Sequence, residues 1–238
     1  MSTSRPYSPG LRECQEFYDE RWQKQAYIGA YKRQRLAAIL QELSRLEGSP
    51  LRILDAGCGS GWLTAVLSHL GPCVGVDITP RTLGRAKREV PRAAFVAADG
   101  CAMPFRAGVF DVVVSQEVLE HIMDKSRYID SIAQCLRTGG HLLLTTPNGD
   151  LAEGMVVKDQ PIEEYVTRKD LLLLLNRHFE IEHLTTIIPA YAGHLKTHPV
   201  NWGLLKSFAA RMRAVKWLDT LQGILLRAGH FLVVAEKR

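Results

Sequence analysis

The sequence predicts a doubly wound α/β fold, in which helices cover both faces of a mostly parallel sheet. Three observations lead to this prediction. Short apolar strands alternate with helical segments along the chain, a glycine-rich turn follows the first strand, and polar residues follow the carboxyl ends of four successive strands. Because ligands bind at those ends in open α/β sheets, the same observations predict where a binding site lies.

The first strand ends at Asp55 and is followed by three alternating glycines, Gly57, Gly59 and Gly61. Glycines permit a tight turn and place no Cβ atom where a flat, polar ligand must contact the main chain. A helix begins near Trp62, and its first amides, which have no partner within the helix, face that ligand. A dinucleotide-binding turn needs a third glycine where Trp62 stands, so the spacing disfavours that ligand class.

The next three strands also end beside polar side chains. The second strand ends at Asp77, about 20 residues after the first, where a carboxylate can accept hydrogen bonds from both hydroxyls of a ribose. The third ends at Asp99 and is followed by Gly100. The fourth, residues 110–115, leads directly into the polar stretch 116–121.

The remaining elements complete the alternation. Apolar residues at helical spacing predict a helix within residues 16–47 and another around residues 129–136, which we expect the glycine pair 139–140 to end. Thr79 is a suitable cap, and Pro80 a suitable first residue, for a further helix. We also expect helices over residues 80–90 and 167–177, and strands over residues 141–146, 179–187 and 230–236.

Composition limits the class of protein. The chain has 238 residues, of which 46% are apolar, and fits one domain with a full core. Its apolar runs, such as residues 171–175, are too short to cross a bilayer, and the amino terminus shows no secretory signal. The five cysteines are odd in number and form no Cys-x-x-Cys pair. This usage suits reduced thiols in the cytoplasm better than disulfides or a zinc site, so we expect a cytoplasmic protein.

We expect a single domain, 1–238, in four parts. Residues 1–49 form a helical cap, residues 50–187 the ligand-binding core, residues 188–229 a helical insertion and residues 230–238 the final strand. Aromatic and basic residues alternate in the insertion, which leaves three interpretations: a helical pair packed on the sheet edge or on a second copy, a lid over an acceptor pocket, or a peripheral membrane contact. The oligomeric state stays open.

The glycine turn preceded by an acid, with acids at the ends of the second and third strands, resembles the class I S-adenosylmethionine-dependent methyltransferases. The resemblance covers residues 50–187 and the last strand. It implies a Rossmann-like sheet of seven strands, with the last strand antiparallel between the fifth and sixth, and S-adenosyl-L-methionine as cofactor. The cofactor-binding residues that it implies are Asp55, Gly57, Cys58, Gly59, Gly61, Asp77, Ile78, Asp99, Gly100, Cys101 and Gln116, with Asp77 on the ribose and Asp99 on the adenine amino group.

Methyl transfer from a sulfonium is an in-line displacement, in which the protein mainly holds the acceptor and the methyl group in line. A base is needed only where the acceptor loses a proton, as a hydroxyl does. We expect Glu117, Glu120 and His121 to be the catalytic residues, because they follow the fourth strand at the ligand edge, with His121 as general base toward a small-molecule hydroxyl. The alternative is a polar turn whose histidine only caps a loop or packs on it.

The Glu-x-x-Glu-His motif resembles that of the ubiquinone-pathway O-methyltransferases and of the small-RNA 3′-end methyltransferases. In those enzymes the matching positions can bind a divalent metal, here Glu117, Glu120 and His121. The RNA enzymes complete the set with another histidine, and the matching stretch here, residues 161–165, has none. We therefore expect no metal as a resident cofactor and keep metal binding as the alternative.

Other polar and aromatic residues leave further interpretations open. Tyr18, Trp22 and Tyr27 could close over the cofactor or the acceptor, or belong to the core. No role is assigned to His178, His183, His194 and His198. The net charge of +5 and the basic residues of segment 81–92 favour an RNA-directed methyltransferase as one alternative, although a solvated helix face explains them better and nucleic acid is disfavoured as a partner. A non-catalytic cofactor-binding protein is another.

Overall fold

The computed structural model describes residues 10–24, 30–46, 48, 50–151, 161–189 and 228–238. The helices of these residues are α1 (Leu11–Lys24), α2 (Ala30–Leu43), α3 (Trp62–Leu67), α4 (Pro80–Glu89), α5 (Lys125–Cys135) and α6 (Arg168–Leu175). The strands are β1 (Ile53–Ala56), β2 (Cys73–Asp77), β3 (Ala94–Ala97), β4 (Phe110–Gln116), β5 (Leu136–Pro147), β6 (Phe179–Pro189) and β7 (Ala228–Lys237). Short 3₁₀ turns span Gly100–Ala102, Leu119–His121 and Gly149–Leu151.

The strands form one seven-stranded sheet in the order β3-β2-β1-β4-β5-β7-β6. The pairs from β3 through to β5 are parallel, and β7 runs antiparallel between β5 and β6. The predicted fold class is therefore confirmed, including the direction and place of the last strand. The order reverses between β1 and β4, and the carboxyl ends of these two strands form the edge at which such sheets bind ligands.

Apolar side chains pack on both faces of the sheet. On one face α2 and α3 bury a layer that includes Ile39, Leu43, Leu63 and Leu67. On the other face α5 and α6 bury a larger layer that includes Tyr128, Ile129, Ile132, Leu171 and Leu175. β1 and β4 lie between the two layers, and this holds their carboxyl ends in fixed positions.

The amino-terminal region consists of two helices, α1 and α2, where we had predicted helical structure over residues 16–47; residues 25–29 between them lie outside the described residues. The buried Asp19 fastens α1 to the start of α4. Its Oδ1 accepts hydrogen bonds from the backbone N–H and the hydroxyl of Thr82, at 2.9 and 2.8 Å. An acceptor at a helix amino terminus satisfies an otherwise unpaired N–H and complements the helix dipole.

The predicted end of α5 at the glycine pair is wrong. The helix ends at Cys135, and the glycines lie in β5, where residues 137–140 bulge between two positions that pair with β4. Gly139 has a φ of +69°, and a Cβ on Gly140 would lie 3.0 Å from the carbonyl oxygen of Asp111. The bulge requires glycine for its backbone, as a helix end often does, so the sequence signal was ambiguous.

Thr167, at the start of the predicted helix 167–177, caps α6, because its hydroxyl accepts from the N–H of Asp170. Thr79 precedes α4, which does start at Pro80, but its side chain makes no cap hydrogen bond and instead donates to Asp77 at 2.6 Å.

The last two strands extend beyond the predicted bounds, since β6 ends at Pro189 and β7 begins at Ala228. Most of the predicted insertion lies outside the described residues, with His194 and His198, as does Tyr27. Within the described part of the chain, no helix has the length and apolar character needed to cross a membrane.

Candidate functional site

The turn after β1 has the backbone that its glycines predict. Gly57, Gly59 and Gly61 have φ values of +78°, +50° and +77°, a region in which other residues are strained. Both the N–H of Gly57 and that of Cys58 donate to the carbonyl of Val76 in β2, at 2.8 and 3.0 Å. These hydrogen bonds hold the turn against β2. Because its glycines have no side chains, another group can approach the main chain of the turn closely.

Asp55 is buried in β1, directly before this turn. Its buried carboxylate accepts a 2.6 Å hydrogen bond from the hydroxyl of Thr64 in α3. Burial raises the pKa of Asp55 to about 7, against the opposing effect of the Thr64 hydrogen bond. Cys58 is also buried, and its Sγ packs against Gly75. The side chains of Asp55 and Cys58 therefore pack within the protein and stabilise the turn, with the thiol of Cys58 facing β2.

Asp77 stands at the carboxyl end of β2, as predicted. Its Oδ2 accepts from the N–H of Gly59 at 2.8 Å, and its Oδ1 accepts from the N–H and hydroxyl of Thr79 at 3.1 and 2.6 Å. Burial raises the pKa of Asp77. Because a carboxylate offers about four acceptor positions, roughly one stays available on Oδ2. Asp77 could therefore accept one hydrogen bond from a ribose hydroxyl. It could accept a second only if the hydrogen bond from the N–H of Gly59 were broken.

The turn after β3 lies beside that of β2. Asp99 accepts from the N–H of Cys101 at 2.8 Å and so begins the 3₁₀ turn that follows the strand. Gly100 lies on Tyr128, since a Cβ there would be 2.8 Å from Cε2 of the ring. Ile78 is half-buried at the end of the neighbouring strand. The sheet order thus brings the predicted residues of β2 and β3 to one edge.

Trp22 of α1 lies directly over the glycine turn. A Cβ on Gly59 would lie 2.5 Å from Cζ2 of the Trp22 ring. The cavity beside it has a volume of about 70 Å³, well below the roughly 300–1,000 Å³ of typical ligand pockets. The Nζ of Lys32 lies 5.4 Å from the Trp22 ring centre and 5.6 Å from that of Trp62, within reach for cation–π attraction. A ligand on Gly59 therefore requires Trp22 to move aside.

Gln116, the last residue of β4, lines the same cavity. Its Nε2 is buried and has no hydrogen-bond partner among the described residues. A buried donor without a partner is costly. This amide group is therefore a ready donor to a polar ligand in the cavity.

Glu117 follows at a φ of +56°, a left-handed conformation rare for a residue with a side chain. Its Oε2 lies 2.9 Å from Nε2 of His230 and 3.3 Å from Nη1 of Arg35, and its Oε1 accepts from the hydroxyl of Thr145 at 2.9 Å. Burial alone would raise the pKa of Glu117, but His230 and Arg35 hold it below its ordinary value. Sequence reasoning missed Arg35 and His230, which come from α2 and β7 and carry no local signal.

Glu120 has a different environment. Its side chain is buried and accepts from the hydroxyl of Thr146 at 3.0 Å. Burial, and then the charge of Glu117, raise the pKa of Glu120 well above its ordinary value. The two neighbouring carboxyl groups thus have pKa values shifted in opposite directions, that of Glu120 upward and that of Glu117 downward.

One ring nitrogen of His121 makes a hydrogen bond, and the other makes none with the residues that the structure describes. Its Nδ1 lies 3.0 Å from the carbonyl oxygen of Ile162, so Nδ1 carries the proton and donates, and Nε2 keeps its lone pair. Nε2 lies 3.8 Å from Oε1 of Glu120, too far for a hydrogen bond. Burial lowers the pKa of His121. The ring is therefore neutral near pH 7, with an acceptor nitrogen available.

One aromatic ring, that of Tyr18, lies beside His121. The Tyr18 ring centre lies 5.6 Å from that of His121, and the Tyr165 hydroxyl donates to Glu163. Burial raises the pKa of both phenols, so both stay neutral. Of the predicted aromatic residues, Tyr18 thus reaches His121 and Trp22 reaches the glycine turn.

The other described histidines lie elsewhere. His178 pairs with Asp130 of α5 at 2.7 Å. His183 lines a separate cleft near the amino ends of the strands.

Sequence comparison finds a family match in the core. Residues 54–144 match the family described as "Methyltransferase domain". A ubiquinone biosynthesis O-methyltransferase of Methylocella silvestris is 36% identical over 117 residues, which cover 44% of this chain and 43% of that protein. The chain spans less than half the length of the curated relatives it matches.

Solved structures resemble the whole chain. The N-methyltransferase NodS of Bradyrhizobium japonicum, in complex with S-adenosyl-L-homocysteine, superposes with a TM-score of 0.64 at 18% identity, over 92% of this chain and 96% of that one. The cyclase SpnF superposes with a TM-score of 0.66 at 19% identity, over 98% and 99%. These two neighbours are named for different reactions, so the likeness shows the fold alone.

Proposed function

Because this chain carries a methyltransferase domain of the class I S-adenosylmethionine-dependent family, we propose that it transfers the methyl group of S-adenosylmethionine to a hydroxyl oxygen of a small molecule. His121 is the general base of this proposal. The observation that carries it is the hydrogen bond from Nδ1 of His121 to the carbonyl of Ile162, which leaves Nε2 as a proton acceptor at the ligand edge.

The residues of the edge fit the cofactor. The glycine turn takes its amino-acid part, Asp77 its ribose and Asp99 its adenine, while the amide of Gln116 supplies a donor that now lacks a partner. The bound cofactor supplies an electrophilic methyl group on a sulfonium. Trp22 must leave Gly59 for this arrangement, because its ring fills the space above the turn.

Proton removal is the step that His121 performs. When the acceptor oxygen takes the methyl group and the carbon–sulfur bond breaks, leaving its electron pair on the thioether of S-adenosylhomocysteine, the hydroxyl proton would pass to Nε2 of His121 and the ring would become an imidazolium. The charges of Glu163 and then Glu117 favour that imidazolium. The low pKa that burial gives the free ring keeps it unprotonated before the step, as a general base must be.

Glu117 and Glu120 act as positioning residues in this proposal. The carboxylate of Glu117 is already engaged with His230, Arg35 and Thr145, and it fixes the turn that carries His121. Glu120 is buried beneath that turn, and its carboxyl group accepts from the hydroxyl of Thr146. Because both carboxyl groups already accept hydrogen bonds within the protein, the mechanism proposed here uses no metal.

Two further observations support a hydroxyl acceptor. The Tyr18 ring lies beside His121, and an aromatic neighbour of this kind suits an aromatic or quinol-like substrate. The relatives include proteins named for O-methylation in ubiquinone biosynthesis.

The test is S-adenosylhomocysteine formation by the purified chain with phenols, catechols and matched aromatic amines. We expect turnover with hydroxyl acceptors, a loss of about a hundredfold or more in His121→Ala with unchanged cofactor affinity, and near-normal turnover in the control His178→Ala. Turnover should survive EDTA without added Mg²⁺. Methylation of amines alone, or full activity in His121→Ala, would contradict the proposal.

A further inference from the structure

A second cluster of polar side chains lies at the opposite end of the sheet. His141 of β5, Glu182 of β6 and Glu236 of β7 bring one ligand atom each within 4.8 Å of one another. Nε2 of His141 lies 3.4 Å from a carboxylate oxygen of Glu182. No part of the proposed methyl transfer uses these residues.

Strand pairing explains why the three side chains meet. His141 and Glu236 are direct partners in the antiparallel pair of β5 and β7, so they share one face of the sheet. The register of β6 shifts between Ile181 and His183, and as a result Glu182 and His183 both line the cleft on that face. The backbone of three strands thus fixes the cluster.

The nearby arginines do not neutralise it. Arg45 pairs with Glu42 at 2.7 Å, and Arg137 pairs with Asp111 at 2.8 Å. Within the described residues, neither Glu182 nor Glu236 has an ion pair with an arginine or a lysine. Two carboxylates and one imidazole thus meet in a cleft whose arginines, Arg45 and Arg137, pair with other acids.

We propose that His141, Glu182 and Glu236 bind a divalent transition-metal ion of the Zn²⁺ type. Imidazole and carboxylate oxygens are both Zn²⁺ ligands, and three protein ligands leave a fourth, tetrahedral position for water. Mg²⁺ prefers a shell of oxygen atoms alone, so the imidazole disfavours it. A cleft of about 590 Å³ gives the ion access from solvent.

The ion has a structural role. His141 lies four residues before Thr145 on β5, about 13 Å away, and Thr145 is the residue that contacts Glu117. The metal is therefore remote from the methyl-transfer site and links β5, β7 and β6 to one another. Its binding should stabilise the folded chain without a role in the chemical step.

Calorimetric titration of the metal-free full chain with Zn²⁺ tests the proposal directly. We expect one ion per chain and a rise of roughly 5 °C or more in the thermal midpoint at a hundredfold excess over Kd. His141→Ala and the nearly isosteric Glu236→Gln should each weaken binding at least tenfold, and each should lose the midpoint rise. Glu16 is an exposed residue of α1, and Glu16→Gln should change neither the affinity for Zn²⁺ nor the rise in the thermal midpoint. Mg²⁺ should not compete with Zn²⁺ for the site.

Two controls distinguish binding at this cluster from binding elsewhere on the chain. Co²⁺ substitution should give a spectrum without a thiolate band, because no cysteine belongs to the cluster. His121→Ala should bind Zn²⁺ as the wild type does. Equal binding by wild type and both cluster variants, loss of binding in His121→Ala, or no heat with wild-type protein would each overturn the proposal, whatever the outcome of the methyltransferase assay.

Discussion

Replacing Glu117 with Gln removes a buried charge and leaves the side chain nearly unchanged in shape. In the wild type, Oε2 faces two donors, Nε2 of His230 at 2.9 Å and Nη1 of Arg35 at 3.3 Å. The Gln side chain can keep its oxygen on the hydroxyl of Thr145, but its NH₂ group then points at those donors. The variant therefore replaces an attraction with donor-to-donor contact.

The expected cost follows from burial. The side chain of Arg35 is 12% exposed and that of Glu117 19%, so removing one charge leaves the other nearly without water. Breaking a buried pair on one side costs about 3–5 kcal/mol. The partial exposure of Glu117 favours the lower end, and we expect a loss of about 3 kcal/mol in the free energy of unfolding. In a chain of this size that lowers the thermal midpoint by roughly 6–12 °C.

Urea unfolding near pH 7 measures this loss, with Glu16→Gln as the matched control. Glu16 pairs with Arg12 at 3.0 Å on an exposed face, where such pairs contribute less than about 1 kcal/mol. The folded-state pKa of Glu117 is lowered from 4.5, so its stabilising effect is complete above pH 4.5 and is lost as the pH falls through the lowered value. The difference in the free energy of unfolding between wild type and variant should therefore become smaller below that pH. A gap under about 1 kcal/mol at neutral pH, or one independent of pH, would refute the assignment.

Three further predictions concern the ligand edge. Asp77→Ala should weaken S-adenosylhomocysteine binding about ten- to hundredfold by calorimetry, and unchanged affinity would remove Asp77 from the site. Gly59→Ala should lower the free energy of unfolding, measured in urea, by at least about 1–2 kcal/mol, because residue 59 has a left-handed backbone. The double variant with Trp22→Ala should recover part of that loss. Equal stability of Gly59→Ala and wild type would contradict the observed turn. Because burial lowers the pKa of His121 from 6.5, turnover should rise with pH only below about 6.5 and then stay level. A continued rise to about pH 8 would point to another base.

The sheet and the polar residues at its ligand edge were predictable from the sequence, because the residues concerned act locally. Gly57, Gly59 and Gly61 lie within one short turn, and their spacing alone separates ligand classes. The acids Asp77 and Asp99 end consecutive strands, and parallel pairing then brings them to one edge. Such features need only the order of the elements, which alternating apolar patterns reveal.

Features that depend on distant parts of the chain were not predictable in the same way. Arg35 and His230 meet at Glu117 from opposite ends of the sequence, and neither lies in a recognisable motif. The bulge at Gly139 was mistaken for a helix end, because both structures call for the same residue. From the sequence, Tyr18 and Trp22 could either close over the ligands or belong to the core, and the direct contact between Trp22 and Gly59 depends on how α1 docks through Asp19.

The pairing of Pro189 with Ala228 has a consequence for protein engineering. Residues 189 and 228 are therefore neighbours in the sheet, and a variant that joins them through a short linker should keep β6 and β7 in register. Cofactor binding and turnover by such a variant would show what residues 190–227 contribute to each.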